Sequence, residues 1–141
     1  MEKRIISAEL MKLMSMFEAV TRVSLKDCFV DETNNALTFI VPEGTIGKAL
    51  GKKAVNVKNL EARLKRHVKV AEYNSDVKSF IKSLLFPLAV NDISEIDEGV
   101  YQIEPADSKT RGMIIGRSAV NLRNLEKIIR RFFDIKEIKV V

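Results

Sequence analysis

Along the chain the spacing of apolar positions changes period several times, and the order of those changes occurs twice. In EKRIISAELMKLMSMFEAV, residues 2–20, Ile6, Leu10, Leu13, Met14 and Phe17 keep to one face of a helix. VSLKDCFV and ALTFIV then flank DETNN, where Asn34 and Asn35 supply turn chemistry between β-rich runs, so a hairpin is predicted. GTIGKAL predicts a short helix and the residues from Gly51 to Lys53 a tight joint. A longer helix is predicted from about Ala54 to Arg66, and VKVAEY as a closing strand.

DVKSFIKSLLF starts the same order again as a helix, and ISEIDEG leads through Gly99 into VYQIEP as a hairpin. KTRGMII, a joint at Gly116, a helix from about Ala119 to Phe132 and the strand IKEIKVV complete it. The predicted order is helix, strand, strand, helix, helix, strand in each half, which makes the fold class α+β.

The halves are related in sequence as well as in pattern. LGKKAVNVKNLEARLKR, residues 50–66, and IGRSAVNLRNLEKIIRR, residues 115–131, align at an offset of 65 with eight identities, among them Gly51/Gly116, Asn56/Asn121 and Glu61/Glu126. Six further pairs are conservative, including Lys52/Arg117 and Lys58/Arg123. Such density points to duplication of a unit of about 65 residues, and two copies argue for a tandem pair rather than an open array. The expected domains are 1–74 and 75–141, with the boundary in YNSD, where Ser75 or Asp76 can cap the following helix.

Charge sharpens the picture because it is local. The formal net charge is +5, yet residues 51–66 hold six basic side chains against Glu61, and residues 116–131 hold five against Glu126. The rest of the chain therefore has 13 basic and 17 acidic residues. Two basic islands in an otherwise acidic chain focus a polyanion onto two places.

Each island contains a joint. Glycine permits a sharp turn there and lets another backbone approach without a Cβ in the way. The helix that follows presents its amino end and positive dipole, flanked by Lys52 and Lys53 or by Arg117, with the Ser118 hydroxyl beside them. Lys58 and Lys65, or Arg123 and Arg130, continue one face of these helices. Val57, Leu60 and Leu64, or Leu122, Leu125 and Ile129, form the opposite, apolar face. The arrangement suits the phosphates of a nucleic-acid strand. The bland alternative is a structural helix joint with solvated cations.

At these residues, IGKALGKKAVNVKNL and MIIGRSAVNLRNL resemble the signature of KH domains, in which a GXXG loop joins two helices. The element order resembles the type II form, and two such domains in one chain are similar to the archaeal NusA-like transcription factors. The resemblance implies two tandem type II KH domains that clamp single-stranded RNA of about four nucleotides each. It places RNA binding on Gly51, Lys52, Lys53, Ala54 and Lys58, and on Gly116, Arg117, Ser118, Ala119 and Arg123. One departure stands out: the fourth motif position is alanine in both copies. An alanine suits the first turn of a helix, while its methyl group would lift the RNA backbone.

The implied function is a transcription elongation or termination factor with single-stranded RNA and RNA polymerase as partners. The alternative is a protein-interaction or ribonucleoprotein-assembly module whose degenerate KH folds no longer clamp RNA.

No catalytic residue, metal ligand, cofactor or small-molecule substrate is expected. Neither glycine cluster has the spacing of a Walker A loop or of GxGxxG, and Cys28 lies in a predicted strand with no suitable histidine nearby in sequence. His67 is expected at a helix end, and Asn56 and Asn121 as braces at a helix start. Met11, Met14, Met16, Phe132 and Phe133 are expected in packed positions, and Asp92, Glu95, Asp97 and Glu98 on a solvated hairpin edge. A single cysteine, with no signal-peptide pattern and no twenty-residue apolar span, predicts a soluble, cytoplasmic protein that makes no membrane contact.

Overall fold

Ser7 has extended backbone and its hydroxyl accepts the Leu10 N–H at 3.1 Å, which starts helix α1 (Ala8–Thr21). The computed structural model describes residues 7–141, so Ile6 and the rest of the expected first helix before Ser7 lie outside the described residues. Arg22 closes α1 in the left-handed region, at φ 59°, with its N–H on the Glu18 carbonyl.

Strand β1 (Asp27–Asp31) pairs antiparallel with β2 (Ala36–Val41), and β3 (His67–Glu72) joins β2 in parallel. The strand expected from Val23 starts only at Asp27. The reason is that the Thr21 hydroxyl and the Glu18 carboxylate take the N–H groups of Val23 and Leu25, at 3.1 and 2.8 Å, in place of a strand partner. At the hairpin turn the Asp31 carboxylate accepts from the Asn34 N–H and side-chain amide, and Asn35 adopts φ 48°.

The parallel β2–β3 pair requires a crossover, which is supplied by α2 (Ile46–Leu50) and α3 (Val55–Leu64). Phe17 of α1 stacks on Phe39 of β2 with ring centroids 4.5 Å apart, and Leu10, Leu37, Ala49, Leu60 and Val68 belong to the same buried cluster. Burial of these side chains contributes roughly 1.5–3 kcal/mol for each large one.

The second half has the same order: α4 (Val77–Leu85), β4 (Val90–Asp97), β5 (Val100–Pro105), α5 (Ser108–Ile115), α6 (Val120–Arg130) and β6 (Glu137–Val140). Its sheet runs β4-β5-β6, antiparallel and then parallel. Asp76 rather than Ser75 caps α4, accepting from the Ser79 N–H and hydroxyl, and Asp107 caps α5 through the Thr110 N–H at 2.7 Å. The hairpin turns through Gly99 at φ 74°, where an added Cβ would meet the Lys136 backbone nitrogen at 3.3 Å.

Helix α6 stops at Arg130, two residues before the expected Phe132. Phe132 and Phe133 turn back onto Phe80, with centroids at 5.4 and 5.9 Å, so both serve packing as expected. Contacts divide the chain into two compact units, which among the described residues are 7–74 and 75–141; each is a mixed α and β structure with one three-stranded sheet.

Candidate nucleic-acid interface

Each joint has three unusual backbone conformations within four residues. Gly51 has φ 74° and ψ 177°, a combination open essentially to glycine alone. Lys53 and Ala54 then both adopt the left-handed region, at φ 54° and 57°. The second joint matches it: Gly116 at φ 75° and ψ 175°, Ser118 at φ 52° and Ala119 at φ 61°.

The alanines therefore do not occupy the first helical turn, contrary to the expectation from sequence. They precede α3 and α6 in a conformation that costs an L-residue roughly 1–2 kcal/mol. The chain passes from one helix to the next within four residues, two of them in the left-handed region in each joint. The N–H groups of Ala54 and Ala119 close the turn on the Gly51 and Gly116 carbonyls, both at 3.2 Å.

A carboxamide locks each turn from beneath. Asn56 donates its side-chain amide to the Ala49 carbonyl at 3.1 Å and to that of Lys48 at 3.4 Å, while Asn121 donates to the Met113 carbonyl at 3.0 Å. Each asparagine thus braces the end of the preceding helix rather than the start of its own. The glycine is what admits it: an added Cβ would stand 3.0 Å from the Asn56 amide nitrogen at Gly51 and 2.6 Å from that of Asn121 at Gly116.

Above the lock the surface is cationic and open. Lys52, Lys53 and Lys58 are exposed, as are Arg117, Ser118 and Arg123, and no side chain caps the start of α3 or α6. Both helices present their positive dipole ends there. Arg123 lies 3.4 Å from the Glu126 carboxylate, while its own side chain keeps 67% of its accessible surface.

The glutamates of the two islands have a role that their charge in the sequence does not reveal. Glu61 accepts the Val68 N–H at 3.0 Å and Glu126 the Ile138 N–H at 2.9 Å, so each ties its helix to the strand that follows. The signal was their identity at matched positions of the repeat. Arg130 is likewise committed, donating to the Lys136 carbonyl at 2.6 Å.

The remaining residues singled out by sequence stand apart from the joints. His67 is exposed and opens β3, Cys28 is buried in β1, and the acidic side chains from Asp92 to Glu98 are exposed on the β4 hairpin. Met14 and Met16 pack against the first core, but Met11 is 58% exposed on the outer face of α1. Lys69 lies on β3 with no motif in the sequence to mark it, and burial pulls its ammonium down to about 8. Among the described residues no acidic, histidine or cysteine cluster could hold a metal ion, and no helix is long and apolar enough to cross a membrane.

Known proteins supply an independent comparison. No protein-family model matches the chain. It is 31% identical to the probable transcription termination protein NusA of Methanocaldococcus jannaschii over 140 residues, which are 98% of this chain and 75% of that one. It is also 31% identical to the protein of the same name from Halobacterium salinarum over 96% of both chains, and 24% identical to that of Thermoplasma acidophilum over 96% and 94%. The crystal structure of APE1850 superposes with a TM-score of 0.73 at 27% identity, covering 96% of this chain and 100% of the other.

Proposed function

Given that the chain belongs to the archaeal NusA-like family of probable transcription termination proteins, we propose that it binds single-stranded RNA through two type II KH domains. In this reading the domains are 1–74 and 75–141, and the partners are nascent RNA and RNA polymerase. RNA phosphates lie over the two joints, where Lys52, Lys53 and Lys58, or Arg117, Ser118 and Arg123, meet them beside an uncapped helix start. Bases then turn toward the neighbouring half-buried apolar side chains, leaving their edges available for recognition.

The observation that carries the reading is the recurrence of one exposed, cationic, carboxamide-locked turn in both units. A turn with a merely local structural duty has no need of exposed cations in both copies. The methyl groups of Ala54 and Ala119 narrow the approach without closing it, since both residues remain only half-buried.

Fluorescence anisotropy of labelled single-stranded RNA tests the proposal. Affinity is expected to fall steeply with salt, and to drop when Lys52 and Lys53 are both changed to Asp or when Arg117 is changed to Asp. Unaltered affinity in both variants removes the joints from the proposal. Partners recovered from lysate equally well with and without ribonuclease would favour the protein-assembly alternative.

A further inference from the structure

The two joints share a backbone but differ in where their cations stand: the first unit's lie closer to the turn. At the offset of 65, Lys53 corresponds to Ser118, and Lys48, one turn before the joint, corresponds to Met113. Lys48 and Lys53 are both exposed, while Met113 leaves 50% of its surface exposed at the matching place.

Among the described residues Lys48, Lys52, Lys53 and Lys58 form no ion pair. In the second unit Arg123 shares the Glu126 carboxylate with Arg130, at 3.4 and 4.0 Å. The second unit does have cations that the first lacks, Lys109 and Arg111, where the first has Gly44 and Ile46. They sit in the first turn of α5, roughly 7–10 Å of helix rise before the joint.

We infer that the two joints are unequal, the first being the principal phosphate site, and that the residue at position 53 or 118 sets their ranking. The inference rests on the RNA reading above. Its physical basis is counterion release: each phosphate neutralised on a single strand steepens the dependence of log affinity on log salt by about 0.7. Over a fourfold change in salt, one such charge corresponds to about 2.6-fold in affinity. Lys53 supplies that charge and Ser118 a neutral hydroxyl. The backbone conformation is the same at both positions, φ 54° and 52°, so the side chains can be exchanged without remodelling the turn.

Nuclear magnetic resonance titration of the full chain with an oligouridylate of about four nucleotides reads each joint separately through its backbone amides. In the unaltered protein the amides of residues 52–54 are expected to saturate at lower RNA concentration than those of residues 117–119. Lys53→Ser should flatten the salt slope of the first joint by about 0.7, and Ser118→Lys should steepen that of the second by the same amount. The double exchange should reverse the order of filling.

Joints that fill together in the unaltered protein, or an order that survives the exchange, overturn the inference and leave the RNA reading standing. If neither set of amides responds to RNA at any salt, both fall.

Discussion

Placing glycine at the fourth position of each turn isolates the energy held in the joint. Ala54 and Ala119 are at φ 57° and 61°, where the Cβ crowds the following carbonyl and costs roughly 1–2 kcal/mol. Glycine removes that cost but adds backbone freedom to the unfolded chain, worth about 0.5–1 kcal/mol in the opposite sense. The difference spans about 0–1.5 kcal/mol, and its central part is a stabilisation of about 0.5–1 kcal/mol for each substitution.

For a unit of this size that corresponds to a rise of roughly 2–8 °C in the transition of the unit changed. Differential scanning calorimetry of Ala54→Gly, Ala119→Gly and the double variant measures it. The two sites lie in different compact units, so each substitution should act on its own unit's transition. Ala54→Ser is the control, because it keeps a Cβ and should recover no stability. A lowered transition in both glycine variants would refute the left-handed assignment at these positions and, with it, the account of the joint.

Three other outcomes are expected. Gly116→Ala combines a glycine-only conformation with a Cβ 2.6 Å from the Asn121 carboxamide, and should destabilise by about 2–4 kcal/mol in urea unfolding; Gly51→Ala, with its nearest contact at 3.0 Å, should cost less. Lys69 is penalised in the folded state while charged, because burial lowers it to about 8. Stability should therefore rise as pH climbs from about 8 toward the ordinary lysine value, and Lys69→Met should stabilise by on the order of 1–3 kcal/mol at neutral pH and flatten that rise. Asp76 and Asp107 are held below the ordinary carboxyl range, first by hydrogen bonds from Ser79 and from Thr110 respectively. Their support is present above the ordinary carboxyl range and fades as pH falls below about 4, so the Asp76→Asn, Asp107→Asn double variant should show a weaker loss of stability on acid titration by circular dichroism.

Much of this protein was legible along the chain because the interactions concerned are local. Helical and strand periods depend on which face of a short segment is apolar, Asp76 caps a helix three residues away, and two Asn residues announce a hairpin turn whatever surrounds them. Charge is likewise additive along a sequence, so the two basic islands and their matched joints could be located by counting.

Tertiary structure alone decided what depends on residues brought together from a distance or on backbone reversals. α1 side chains take the N–H groups of Val23 and Leu25 before β1, and Glu126 reaches the backbone of Ile138 across a turn whose path no pattern specifies. Ala54 and Ala119 are helix formers by propensity, yet in the joints, beside Gly51 and Gly116, they adopt the left-handed region. Local preference is worth tenths of a kcal/mol to about one, and a closed core and a locked turn outweigh it.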